Sequence, residues 1–110
     1  MKRIRFKSDS YRKTRGGYSR LLEISCSECG HKVLLYQKDG AGPLKRLYLD
    51  RILSSKGFSQ LQLVSLKHIP HLVCPKCKEV LGIPYLYPKE KRKAFRLFVG
   101  LVKKKIKKTS

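Results

Sequence analysis

Apolar and polar positions along this chain fall into short runs separated by glycine, proline and cysteine. Residues 21–25 and 32–37 are brief and rich in aliphatic or β-favouring side chains. They flank Cys26-Ser27-Glu28-Cys29 and predict a β-hairpin with that knuckle at its tip. Lys38-Asp39-Gly40-Ala41-Gly42-Pro43 is a break. Leu44, Leu47, Tyr48 and Ile52 then recur at helical spacing, with Lys45, Arg46, Asp50 and Arg51 elsewhere on the cylinder. This predicts a short amphipathic helix over 44–54, with a strand as the rival because Leu47 and Leu49 also alternate. Residues 61–65 carry an imperfect strand pattern. Leu72 and Val73 enter the second cysteine pair and residues 79–87 leave it as a strand, which Pro84 confines to an edge or a bulge. In residues 89–108, Phe95, Phe98, Val99, Val102 and Ile106 recur at spacings of three and four, opposite a nearly continuous basic face. That pattern predicts the chain's best helix. Residues 1–20 show no periodicity and read as an arm, flexible or ordered by a partner.

The cysteines add the first chemistry. Cys26 and Cys29 form one Cys-x-x-Cys pair and Cys74 and Cys77 another. A zinc ion takes a tetrahedron of thiolates, and each pair supplies one edge, so the spacing predicts one structural Zn²⁺. Gly30 follows the first pair, where a residue free to take positive φ helps the turn; Lys78 holds the equivalent place in the second. Disulfides would need an oxidising compartment, and a redox pair would need only one Cys-x-x-Cys. An iron–sulfur cluster is the alternative metal reading. With four thiolates the site is closed and no metal catalysis is expected. His31, His68 and His71 lie near the knuckles but are not needed as ligands.

The segments CSECGHKVLLY and HLVCPKCKEVLGIPYLY resemble a zinc ribbon, two cysteine-tipped hairpins around one metal, over residues 26–87. The chain is similar in style to the basic zinc-ribbon ribosomal proteins, departing from the commonest pattern in its long insert and in lacking a second Cys-Gly. The resulting expectation is a small α+β fold: a zinc ribbon with a helical insert, a basic C-terminal helix and an extended N-terminal arm. Its organisation would be an RNA-binding arm over 1–20, a ribbon core over 21–87 with an insert at 38–66, and the basic helix over 88–110.

Charge then points to a partner. The chain's 110 residues carry 27 Lys and Arg against 7 Asp and Glu, a formal net charge of +20. Residues 1–20 hold eight basic groups against one acid, and residues 88–110 hold ten against one. A globule so charged repels itself unless a polyanion neutralises it, and nucleic acid is the commonest. The predicted RNA contacts are Lys2, Arg3, Arg5, Lys7, Arg12, Lys13, Arg15, Tyr18 and Arg20 in the arm, and Lys45 and Arg46 in the insert, placed where a helix start would favour phosphate. In the C-terminal segment they are Arg92, Lys93, Arg96, Lys103, Lys104 and Lys105.

No uncharged apolar run reaches the roughly 20 residues a membrane span needs, and no apolar stretch follows the basic N-terminus as a signal peptide requires. With no carboxylate pair or nucleophile–base motif, no enzymatic activity and no small-molecule substrate are expected. The expected role is a structural constituent of the ribosome, or a ribosome-bound protein, that binds rRNA and neighbouring ribosomal proteins. Its expected location is cytoplasmic, with an organellar ribosome the other possibility. A DNA-binding or transcription-associated zinc ribbon is the alternative.

Overall fold

Strand β1 (Ser19–Cys26) alternates as its sequence demands, burying Leu22, Ile24 and Cys26, and β2 (Lys32–Asp39) places Leu34 and Tyr36 opposite them in antiparallel register. The computed structural model describes residues 6–53 and 61–107, and within them the chain forms two antiparallel sheets. In the first, β1 lies between β2 and the last strand, β7 (Val102–Lys107). The second runs in the order β3 (Arg46–Tyr48), β6 (Arg92–Leu97), β5 (Val80–Tyr87) and β4 (Leu72–Val73). Leu47, Leu72, Leu81 and Phe95 of the second sheet meet Leu22, Ile24, Leu34 and Tyr36 of the first in one core, which also takes in Cys26 and Cys74.

The α+β expectation is overturned: helix among the described residues is limited to one short α-helix, α1 (Ser10–Thr14), and three 3₁₀ turns. Of the segment 44–54, the described residues 44–53 hold β3 and a 3₁₀ turn at Leu49–Arg51, burying Leu47, Tyr48 and Leu49 in succession. The rival strand reading was the right one for Arg46–Tyr48. Residues 61–65 fall in and beside a 3₁₀ turn (Leu61–Leu63) rather than a strand.

Among the described residues of 88–110, which end at Lys107, there is no basic C-terminal helix. Residues 89–107 supply β6 and β7, joined by a turn in which Gly100 takes φ +80°. Glycine inside a helix costs about 1 kcal/mol relative to alanine, and the β-branched Val102 and Ile106 favour a strand. Phe95 is fully buried while Phe98 is 42 % exposed, so the apparent stripe was two unrelated faces.

Nor is the N-terminal segment an extended arm where it is described. Asp9 caps α1 by accepting from the Arg12 N–H, and Lys7 exchanges two hydrogen bonds with the buried Gln37 side chain. Residues 6–17 therefore cover one end of both sheets, and Ser19 and Arg20 already belong to β1. Lys2, Arg3 and Arg5, with insert residues 54–60, lie outside the described residues. Pro84 sits beyond Gly82, where pairing with β4 ends and β5 becomes a sheet edge.

Candidate metal centre and basic face

The two cysteine knuckles are built alike. In the first, Cys26 N–H donates to the His31 carbonyl and Gly30 N–H to the Cys26 carbonyl; in the second, Cys74 N–H donates to Glu79 and Lys78 N–H to Cys74. Gly30 and Lys78 both take positive φ, +77° and +68°. The lysine thus adopts the conformation the turn imposes despite its Cβ, and its Nζ donates to the Pro75 carbonyl 3.0 Å away.

The knuckles face each other across the two sheets. Ligand atoms of Cys26, Cys29, Cys74 and Cys77 all lie within 4.8 Å of one another. Cys26 and Cys77 sulfurs are 3.6 Å apart, and those of Cys29 and Cys74 3.5 Å. A metal with about 2.3 Å metal–sulfur bonds has tetrahedron edges of about 3.8 Å, so the four sulfurs can hold one metal ion.

Electrostatics favour a cation here. Burial raises the Cys74 thiol, but backbone N–H groups of Cys77 and Lys76 and the Cys29 thiol outweigh it and bring it down to about 6. The Glu79 N–H draws Cys77 down, yet burial and the three neighbouring sulfurs prevail and push it up to about 12. One thiolate forms readily and discourages the next, and a bound cation removes that conflict. None of the histidines joins the cluster; His31 contributes its carbonyl to the first knuckle.

The sequence-predicted RNA contacts divide sharply. Arg15 pairs with Glu90, and its guanidinium also donates to the Tyr48 hydroxyl. Buried Arg92 lies between the rings of Tyr11 and Tyr48, at 4.1 and 3.7 Å, and pairs with Asp50. Arg12 donates to Ser19 Oγ, and Lys93 to the Val64 carbonyl. These four residues are committed to the fold. Lys7, Lys13, Arg20, Lys45, Arg96, Lys103, Lys104 and Lys105 are exposed, as is Tyr18. Arg46 is half-buried, donating from Nε to the Tyr85 hydroxyl at 2.7 Å, with its guanidinium 4.3 Å from the Tyr87 ring centre.

Most of the acids are paired within the chain. Arg51, 1 % exposed, binds Asp39 from Nε at 2.8 Å and Asp9 from Nη2 at 2.6 Å. Asp50 and Glu90 serve Arg92 and Arg15, and Glu23 pairs with Lys32 and Lys107. Five of the seven acids are thereby consumed by internal pairs, leaving Glu28 and Glu79 beside the knuckles. The outward charge is left overwhelmingly positive.

Sequence reasoning missed Tyr85 and Tyr87. Cross-strand register puts them on the outward face of the second sheet with Arg46 and Arg96, and with Lys45 they border one shallow cleft. The alternation of Ile83, Tyr85 and Tyr87 was the available signal. No helix among the described residues is long and apolar enough to cross a membrane. Comparison of the chain with known protein families, curated proteins and solved structures finds no match in any of the three.

Proposed function

We propose that this protein binds structured RNA, as a constituent of the ribosome or a ribosome-bound protein in the cytoplasm, and that its four cysteines hold one structural zinc. The observation that carries the reading is the outward face of the second sheet, where Tyr85 and Tyr87 stand among Arg46, Arg96 and Lys45. Aromatic rings on a sheet, bordered by cations, are what unstacked bases and their phosphates require. Lys103, Lys104 and Lys105 on the edge strand β7 extend the positive surface, and phosphate contacts there position the protein on its RNA without reading sequence. Thiolate is the ligand set of structural zinc, and four protein ligands leave no vacant position. We assign no enzymatic role.

The test has two parts. The protein should sediment with ribosomes through a sucrose gradient and be released by a high-salt wash. Binding to an rRNA fragment should weaken by about 1–3 kcal/mol on Tyr85→Ala or Tyr87→Ala, the worth of one stacked base. Absence from ribosomal fractions together with stacking-independent binding would overturn the reading. Tighter binding to duplex DNA than to RNA would replace it with the transcription-associated alternative.

A further inference from the structure

We infer that the cleft beneath the 40–43 loop is a binding site for the phosphate group of a nucleotide. The cleft has a volume of about 250 Å³ and is lined by five cations, Arg15, Lys38, Lys45, Arg46 and Arg51, against one acid, Asp39. That acid is already occupied: its carboxylate accepts from Ser19 Oγ at 2.7 Å, Gln37 Nε2 at 2.8 Å and Arg51 Nε at 2.8 Å. Glu90 neutralises Arg15, and Asp39 and Asp9 neutralise Arg51, so the positive charge left at the cleft is that of Lys38, Lys45 and Arg46.

Further donors belong to residues that line the cleft. Arg51 lines it with its side chain buried, and its Nη1, which makes no hydrogen bond among the described residues, lies 3.9 Å from the Asp50 carboxylate. Tyr36, also buried and lining the cleft, accepts the Tyr48 N–H on its hydroxyl oxygen at 2.8 Å, and its own hydrogen meets no acceptor among the described residues. The Ala41 and Gly42 N–H groups donate to no described residue.

The loop is shaped for close approach. Gly40 packs on Arg15 so tightly that a Cβ would run into its carbonyl, and Gly42, at φ +107°, leaves open space where a Cβ would stand. Lys38 is tethered to the Gly40 carbonyl at 3.1 Å. Burial, with Lys104, Arg20 and Arg15 nearby, pulls its ammonium below the usual lysine range. A multiply charged tetrahedral oxyanion suits several converging donors better than a carboxylate does.

Lys45 and Arg46 border both this cleft and the shallow one holding Tyr85 and Tyr87. A nucleotide can thus place its phosphate under the loop and its base on the tyrosine face. This last step rests on the RNA reading above; the phosphate site does not.

The probe is inorganic phosphate on the full-length, zinc-loaded protein, against chloride at matched ionic strength. Phosphate stabilises proteins generally, so Lys38→Gln/Lys45→Gln is the reference. The wild type should gain roughly 5 °C in melting temperature over that variant when phosphate is tenfold above its dissociation constant. In the unmutated protein, amide resonances of Ala41 and Gly42 should shift on titration, a readout that does not depend on how the variant folds. Equal melting gains with silent amides would overturn the site. A 5′-phosphorylated RNA octamer that binds at least fivefold tighter than its 5′-hydroxyl twin identifies an RNA end as the source. Adenosine monophosphate binding with no such preference identifies a free nucleotide. RNA binding without a phosphate response overturns this inference and spares the RNA reading; a phosphate response without RNA binding does the reverse.

Discussion

Replacing Arg51 with Met should be among the most damaging single changes to this fold. Arg51 is 1 % exposed and holds Asp39 and Asp9 with charged hydrogen bonds of 2.8 and 2.6 Å. Methionine fills much of the arginine stem but strands the Asp39 carboxylate, whose side chain is only 4 % exposed, on Ser19 and Gln37 alone. Breaking a buried pair from one side typically costs about 3–5 kcal/mol, mostly from the abandoned charge. The abandoned charge can then be removed in turn. Asp39→Asn in the Arg51→Met background should restore about 1–3 kcal/mol, because a neutral amide tolerates the same burial. Urea unfolding of the wild type, both single variants and the double variant, at neutral pH with zinc present, measures each corner of the cycle. A loss below about 1 kcal/mol for Arg51→Met, with no coupling to Asp39, would refute the view that this network holds the N-terminal segment, β2 and the 3₁₀ turn together.

Further outcomes follow from other sites. Zinc analysis should find one equivalent per chain, and Cys74→Ser should abolish both the metal and cooperative unfolding, since metal affinity in such a small domain is folding free energy. Phe95→Ala should cost about 3–5 kcal/mol in thermal or chemical unfolding, whereas Phe98→Ala, at an exposed site, should cost under about 1 kcal/mol. The Asp9 carboxyl is held down at about 2, chiefly by its hydrogen bond to Arg51. A lowered value means its contribution is complete above the unfolded value of about 4 and is lost as pH falls through about 2. The stability gap between wild type and Asp9→Asn, kept small by partial solvent exposure, should therefore stay constant between pH 5.5 and 8. Replacing Lys103, Lys104 and Lys105 with Gln should flatten the salt dependence of RNA binding by up to about 0.7–0.9 log units per lost phosphate contact while leaving the melting temperature within a degree or two.

The cysteine-tipped hairpins were legible because both signals are local: ligand spacing and a short run of alternating residues. The segment 89–107 misled because Phe95, Phe98, Val99 and Val102 satisfy a helical period by coincidence. The turn at Gly100 separates them into a buried strand residue, two exposed turn residues and an edge strand. Pairing of β7 with β1 spans nearly the whole chain, and no local pattern encodes it. The partners of the buried and half-buried arginines were hidden for a related reason. Arg15, Arg51 and Arg92 look like surface charges until the fold brings Glu90, Asp39 and Asp50 to them from distant positions. Tyr85 and Tyr87 were passed over because an alternating strand shows its two faces without showing which is outward.

The place of β7 sets an order of events during synthesis. Strand β1 can pair with β2 as soon as residue 39 is made, but its other edge, opposite Val102–Lys107, stays open until residue 107 is made. Cys26 and Cys29 likewise wait for Cys74 and Cys77 before a fourfold thiolate cage can close. Between the synthesis of residue 39 and that of residue 107 the nascent chain therefore exposes a bare, partly apolar strand edge, the kind of edge that recruits unwanted partners. Closure of β1 by β7 is a long-range contact formed late, so folding should be slow for a chain of this size, and a truncation removing only residues 102–110 should yield an aggregating product rather than a smaller folded one.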